Sequence, residues 1–381
     1  MKRLISAFSL LLVAIMLFSA CNTNDQFLTG GTLEVITGGE TTPEETTPVV
    51  TPEETTPADE EEKLPDPVEL DPECAHDFTS RIVLEQVTTQ ADGKIANVCA
   101  KCGGWQEEIL PAVTSIKILA IGNSFSDNAL KYLPLLAKEL GIQEVIVGKL
   151  YRGSCTIDRH WSDAQAGANY ERFDLSTGGG YTSQSQKTLI YALQLYDWDI
   201  ITMQQASGYS GMPSSLNNLQ NLINFVNENK TNPDAKLYWH MTWAYSQFTT
   251  HSGFANYNSD QMTMYNAIVD LSKNCIVPNE CFTGIIPAGT AVQNYRDKDT
   301  NNKSIESTYI TTDGYHLKNY SEVLVAMTWL RTLTGLSLDN IKCTSDSSLT
   351  FISASQLKNL KKAANSAYLK PYEVTYVYSS N

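Results

Sequence analysis

Histidine is scarce in this chain, with five residues in 381. Any chemistry that needs an imidazole must therefore draw on His76, His160, His240, His251 or His316. Long apolar runs are lacking as well. The uninterrupted stretch from Leu10 to Phe18 falls short of the roughly 20 residues that a membrane-spanning helix takes. Basic charge is missing where nucleic acid would require it. The net charge is −15, but residues 22–73 hold 15 acidic residues and one lysine, Lys63. With plus 2 from the leader, only −3 is left for everything from Cys74 onward. That near-balance shows no charge imbalance pointing to a nucleic-acid partner.

What is present begins with Lys2 and Arg3, the short apolar run, then Ser19 and Ala20 ahead of Cys21. That order reads as a secretory signal. A cysteine directly after small residues resembles the lipobox of bacterial lipoproteins. The resemblance implies loss of residues 1–20, acylation of Cys21, and an exported cell-surface protein anchored to the membrane by its lipid. Residues 21–73 contain seven of the 14 prolines and repeat Thr-Thr-Pro from positions 41, 46 and 55. Such a composition cannot bury enough apolar surface to offset the entropy of folding, so a disordered acidic spacer, stiffened by proline and extended by like charge, is expected.

Residues 74–112 read as a small module. Cys74-Ala-His76 is followed, 22 residues on, by Cys99-Ala-Lys-Cys102-Gly103. Cys74, His76, Cys99 and Cys102 make four thiolate and imidazole ligands, the number and softness that structural zinc wants. Alternation over Arg81–Val87, a turn at Asp92-Gly93 and a return through Ile95–Val98 suggest a hairpin leading into the knuckle. The segment resembles zinc-ribbon-like modules of clostridial surface proteins. In an exported protein the competing reading is a disulfide from Cys99 to Cys102 or Cys74, with His76 a bystander.

From residue 113 to 381 the pattern becomes strands alternating with helices. Apolar runs at Ile116–Ile121, Val145–Val147, Ile200–Met203, Leu237–Met241 and Thr283–Ile286 predict a five-stranded parallel sheet inside an α/β sandwich, with ligands at the carboxyl ends of the strands. After the first run comes Gly122-Asn123-Ser124, after the second Arg152-Gly153-Ser154, and after the third Gln204-Gln205. Late in the chain sits Asp313-Gly314-Tyr315-His316, ahead of a helix opening near Asn319.

Gly-Asn-Ser after the first strand and Asp-x-x-His before the last helix resemble the first and last blocks of the SGNH, or GDSL-like, hydrolases. The similarity is nearest to a branch of unknown function found in gut-bacterial lipoproteins, over roughly Ser115 to Leu336. It implies a three-layer αβα sandwich, Ser124 as nucleophile and oxyanion donor, Gly153 as a second donor, His316 as base and Asp313 as its orienting carboxylate. The chemistry agrees with these roles. A serine hydroxyl is a weak nucleophile until a histidine takes its proton, and a carboxylate fixes the tautomer of that histidine. Where the superfamily has an asparagine after its third strand, this chain has Gln204 and Gln205. Gln205 is the expected donor, with Gln204 the alternative.

His160, Trp161 and Trp243, near strand ends, are the candidate substrate contacts. His240 reads as a core histidine, and Cys275 with Cys281 as a disulfide pair. The expected function is extracellular ester hydrolysis through an acyl-serine, without a catalytic cofactor, on the O-acetyl groups of acylated carbohydrate. The competing reading is an inactive carbohydrate-binding or scaffold lipoprotein on the same fold.

Overall fold

The computed structural model describes residues 69–296, 298, 303–342 and 349–378. Cys21 and most of the acidic spacer lie outside them. No helix among the described residues is long and apolar enough to cross a membrane.

The first element is a small antiparallel sheet of β1 (Phe78–Glu85), β2 (Gly93–Cys99) and β3 (Trp105–Leu110), in that order. Its start and its β2–β3 turn bring the four metal-type ligands together. The ligand atoms of Cys74, His76, Cys99 and Cys102 all lie within 4.8 Å of one another, a cluster that could bind a metal. Gly103 takes a φ of +72°, the left-handed value this turn needs. The Asp77 and Lys101 amides donate to the Cys99 sulfur at 3.3 and 3.4 Å. Burial raises the Cys99 thiol, but these amides, that of Cys102 and the His76 ring together bring it down to about 5. None of Cys74, Cys99 and Cys102 is joined in a disulfide, nor are Cys275 and Cys281.

The second sheet has seven strands in the order β10-β9-β8-β4-β5-β6-β7. The five apolar runs appear in it as β4 (Ser115–Gly122), β5 (Glu144–Tyr151), β8 (Ile200–Met203), β9 (Lys236–His240) and β10 (Phe282–Ile286), all parallel neighbours. Two further strands, β6 (Arg172–Ser176) and β7 (Thr182–Gln184), extend the β5 edge antiparallel. The sheet is therefore mixed, which corrects the expected five-stranded parallel one. The reason lies in composition. β6 reads Arg-Phe-Asp-Leu-Ser, with its polar residues held by ion pairs rather than carried on an apolar run. Arg172 meets Asp174 at 2.7 Å and Asp127 at 2.6 Å, and Lys149 of β5 meets Asp127 at 2.6 Å.

Helices flank the sheet: α1 (Ser124–Leu130), α2 (Leu133–Glu139), α3 (Ile157–Ala166), α4 (Leu189–Gln194), α5 (Leu219–Asn229), α6 (Gln261–Leu271), α7 (Ala288–Tyr295), the single turn α8 (Lys303–Ile305), α9 (Asn319–Thr334) and α10 (Ala354–Leu369). Their faces follow from spacing. In α5 the buried residues are Leu219, Leu222, Ile223 and Val226, one stripe of a 3.6-residue period. Burying each contributes roughly 1.5–3 kcal/mol of transfer free energy. α9 is buried nearly all round and forms the centre of its layer. The small sheet docks on the carboxyl ends of two helices. Arg81 Nη1 donates to the Tyr368 carbonyl at 2.8 Å and Gln86 Nε2 to that of Gly335 at 2.7 Å.

β4 fixes where a ligand can sit. From it the chain crosses to β5 on one side and later to β8 on the other, so a crevice opens at its carboxyl end.

Candidate active site

Gly122 ends β4, Asn123 caps α1 and Ser124 is the first helical residue. Asn123 has extended backbone, and its Oδ1 accepts the Phe125 amide at 3.0 Å, the usual economy of a helix start. Ser124 thus sits where helix amides have no intrahelical partner and the helix dipole favours negative charge.

His316 arrives from a tight loop between the residue pair Thr311–Leu317. Several contacts seat that loop over Ser124. Trp243 Nε1 donates to the Tyr315 carbonyl at 2.8 Å, the Ser246 amide to that of Gly314 at 2.7 Å, and the Leu317 amide to Asn128 Oδ1 at 3.0 Å. Gly314 has a φ of +92°, and a Cβ there would stand 2.8 Å from the Thr249 Cα, so only glycine fits this bend.

The result brings together the three residues that the motifs single out. His316 Nε2 lies 2.9 Å from Ser124 Oγ, and Nδ1 lies 2.7 Å from Asp313 Oδ2. Asp313 Oδ1 also accepts the backbone amides of His316 at 2.8 Å and Tyr315 at 3.1 Å. Burial works to raise the Asp313 carboxyl, yet the His316 amide and ring and the Tyr315 amide outweigh it and hold it below its ordinary value. An ionised Asp313 accepts the Nδ1 hydrogen, which leaves the Nε2 lone pair facing the serine hydroxyl. Ser124 and His316 open into a pocket of about 270 Å³ whose lining also includes Tyr151, Tyr209, His251 and Tyr315.

The expected oxyanion donors are placed differently. Gly153 lines the same pocket, but its amide donates to Glu171 Oε2 at 3.3 Å. Gln205 does not reach Ser124. Its Nε2 donates to the Ser215 carbonyl at 2.7 Å and hydroxyl at 3.0 Å, and its Oε1 accepts the amides of Ile157 and Ala206. That fully used amide braces the loop after β8, which removes Gln205 from the role the sequence suggested.

Gln204 is the residue beside the serine turn. It lies one step past the paired Ile121–Met203 and Met203–Trp239, which sets it between Gly122 and His240. Its Oε1 accepts from Ser126 Oγ at 2.6 Å and His240 Nδ1 at 2.7 Å, and its Nε2 donates to Asn123 Oδ1 at 2.6 Å. With Oδ1 taking two hydrogens, the Asn123 amide is oriented, and its Nδ2 donates once, to the Cys155 carbonyl at 3.3 Å. The other Nδ2 hydrogen has no partner among the described residues. His240 is buried, and burial pushes its pKa down to about 3, so the ring is a neutral Nδ1–H donor.

The three candidate substrate contacts lie outside the pocket. His160 is fully buried, paired through Nδ1 with the Tyr170 hydroxyl at 2.7 Å, and pushed down to about 3 by burial and the nearby Arg152 charge. Trp161 packs edge-on against Phe225. Trp243 is buried, stacks on Phe125 at 4.2 Å between centroids, and holds the Tyr315 carbonyl. All three sit close to strand ends, but on side chains that turn inward.

Other positioning residues carry little sequence signal. Asn128, one turn after Ser124, links the His316 loop to Glu322 of α9. Asp127 ties α1 to β5 and β6 through Lys149 and Arg172. Burial raises its carboxyl, but those two cations bring it below its ordinary value.

The family described as "Domain of unknown function (DUF4886)" matches residues 117–367. A DUF4886 family protein from Bacteroides uniformis, known from a crystal structure, is similar at 34% identity and a TM-score of 0.62, over 69% of this chain and 98% of that one. An alpha/beta hydrolase enzyme from the metagenome of Lake Arreo, Spain, shares 11% identity over 58% of this chain and 96% of its own, with a TM-score of 0.34. A Bacillus subtilis protein shares 10% identity over 68% and 78%, also with a TM-score of 0.34. Similarity that low says nothing about chemistry. No curated protein matches the sequence.

Proposed function

The chain belongs to the DUF4886 family, and on that footing we propose that it is a serine ester hydrolase of the SGNH type. The observation that carries the reading is the run of contacts from Asp313 through His316 to Ser124, at 2.7 and 2.9 Å, opening into a pocket. In the proposed reaction Ser124 Oγ attacks the ester carbonyl carbon while its proton passes to His316 Nε2. The tetrahedral intermediate collapses, the C–O bond to the alcohol breaks, and the alcohol leaves with the proton from His316. Water then attacks the acyl-serine with His316 again taking the proton, and that proton passes to Ser124 Oγ as the bond from Oγ to the acyl carbon breaks and the carboxylic acid leaves. Asp313 steadies the imidazolium that forms in each half. As oxyanion donors we assign the Ser124 amide and the Asn123 Nδ2 hydrogen that has no partner among the described residues, since both residues line the pocket.

Among the described residues the pocket lining contains no Lys, Arg, Asp or Glu, and it includes Tyr151, Tyr209 and Tyr315. A neutral substrate with small acyl groups, such as O-acetylated carbohydrate, suits that surface. The leader implies that the protein works outside the cell, anchored through Cys21. For the small sheet we propose a structural zinc held by Cys74, His76, Cys99 and Cys102, whose mixed thiolate and imidazole set suits that ion. Turnover of p-nitrophenyl acetate by the wild type and its loss in Ser124→Ala tests the hydrolase reading.

One observation favours a second reading, an inactive carbohydrate-binding or scaffold protein. The Gly153 amide and the Gln205 side chain, which the motif would use as oxyanion donors, are both engaged within the protein. The same assay separates the two readings.

A further inference from the structure

Two short segments form the pocket wall that carries no part of the Ser124–His316–Asp313 chain: the 3₁₀ turn Ser207–Tyr209 after β8 and the 3₁₀ helix Ser252–Tyr257. They meet backbone to backbone. A Cβ on Gly253 would stand 2.9 Å from the Gly208 Cα, so Gly253 cannot be enlarged without parting the two. Asn256 Nδ2 donates to the Gly208 carbonyl at 2.9 Å, and Ser207 Oγ lies 2.7 Å from the Tyr245 hydroxyl. This wall is rigidly built.

His251 stands at its edge. The ring Nδ1 accepts the Gly253 amide at 3.0 Å, so that nitrogen carries no hydrogen and the neutral ring bears it on Nε2. The Nε2–H has no hydrogen-bond partner among the described residues. Tyr245 and Tyr315 hold the ring, each with its centroid 4.8 Å away. Burial lowers the His251 pKa, the His316 ring lowers it further, and Asp313 opposes both, so the ring favours its neutral form. In the same pocket lining Tyr209, 47% exposed, offers an aromatic face.

We infer that this wall is a subsite for the alcohol portion of the ester. In it His251 Nε2–H donates to a hydroxyl or ring oxygen of a neutral, sugar-like group, and the Tyr209 ring packs against that group's apolar face. The assignment rests on the hydrolase reading, and it names the residues that read the leaving group.

The test compares two esters on the full chain: p-nitrophenyl acetate, whose leaving group has no aliphatic hydroxyl, and a mono-O-acetylated methyl glycoside. His251→Phe keeps a ring between Tyr245 and Tyr315 but has no donor. It is expected to lower kcat/KM for the glycoside by about 10-fold more than for p-nitrophenyl acetate, chiefly through KM, as loss of one hydrogen bond would. Tyr209→Ala is expected to shift the same ratio in the same direction. Equal losses on both esters in both variants overturn the subsite. Calorimetry of the methyl glycoside with Ser124→Ala gives a readout independent of turnover. Binding that His251→Phe weakens supports the subsite even if the wild type hydrolyses neither ester, in which case the hydrolase reading alone fails. No binding of the methyl glycoside overturns the subsite whatever the esterase result.

Discussion

Gln204 Nε2 donates to Asn123 Oδ1 at 2.6 Å, joining the end of β8 to the cap of the helix that carries Ser124. Gln204→Ala would leave Asn123, Ser126 and His240 short of a partner in a site closed to water, where an unmet polar group costs about 1–3 kcal/mol. We predict a fall in kcat of about 10-fold to 100-fold with KM little changed, together with a lower melting temperature. Gln205→Ala is expected to lower stability through the loop at Ser215 and to keep kcat within about twofold. Steady-state kinetics and thermal melts on both variants check this, and a large kcat loss confined to Gln205→Ala would reverse the assignment.

Ser124→Ala and His316→Ala should each reduce ester turnover by about 10⁴-fold to 10⁶-fold. The double variant should be little worse than either, because nucleophile and base act as one unit. Rates of p-nitrophenyl acetate hydrolysis supply the comparison; residual turnover near wild type in either single variant rules the pair out.

The lowered Asp313 carboxyl sets a pH signature. A group whose folded pKa lies below its unfolded value adds stability that is present above the unfolded value, ordinarily 3.8, and is lost as pH falls through the lower, folded one. The difference in melting temperature between wild type and Asp313→Asn should therefore stay constant from neutral pH down to the upper fours and shrink below that. Because Asp313 is 39% exposed at its side chain, the difference should be modest. Turnover should fall much further, about 10³-fold to 10⁴-fold, since asparagine favours the wrong histidine tautomer. Melting curves between pH 2.5 and 8 that keep a constant gap would contradict this.

Elemental analysis of unchelated protein should find about one zinc per chain, and Cys99→Ser should lose it. Proteolysis within residues 74–110 should then quicken while ester turnover survives, because none of the four ligands lines the serine pocket.

Membrane attachment is expected to depend on Cys21. Expressed in a bacterium that processes lipoproteins, the wild type should enter the detergent phase and Cys21→Ala should not. Unchanged partitioning would dismiss the anchor.

The central strands are legible because each is a short apolar run bounded by turn residues, as a sheet covered on both faces produces, and Ser124 and His316 because each closes a short motif at an element boundary. β6 is not. Its Arg172 and Asp174 reach their partners only in space, and no local pattern announces an ion-paired edge strand. The choice between Gln204 and Gln205 turned on strand register, which a two-residue period cannot fix from one sequence. The inward turn of Trp243 and His160 is illegible for a related reason. Nearness to a strand end says nothing about which way a side chain turns, and both point into packing that later segments supply. His251 lies in a loop with no motif, and its ring takes a fixed direction only through the Gly253 amide and the Tyr245 and Tyr315 rings, contacts that no local pattern announces.

α9 is held at both of its ends. Its first turn engages Asn128 and Lys131 through Glu322, and past its last turn the Gly335 carbonyl accepts from Gln86 and from Arg331. A helix of 16 residues is about 24 Å long, so those two attachments stand nearly a domain's radius apart. Helix termini ordinarily fray and exchange their amide hydrogens first. In α9 protection should instead run its full length. Should the small sheet lift away, the final turn would open and exchange while the turn beside Leu317 stayed closed. Amide exchange along this one helix would then report the docking of a module that never touches the serine.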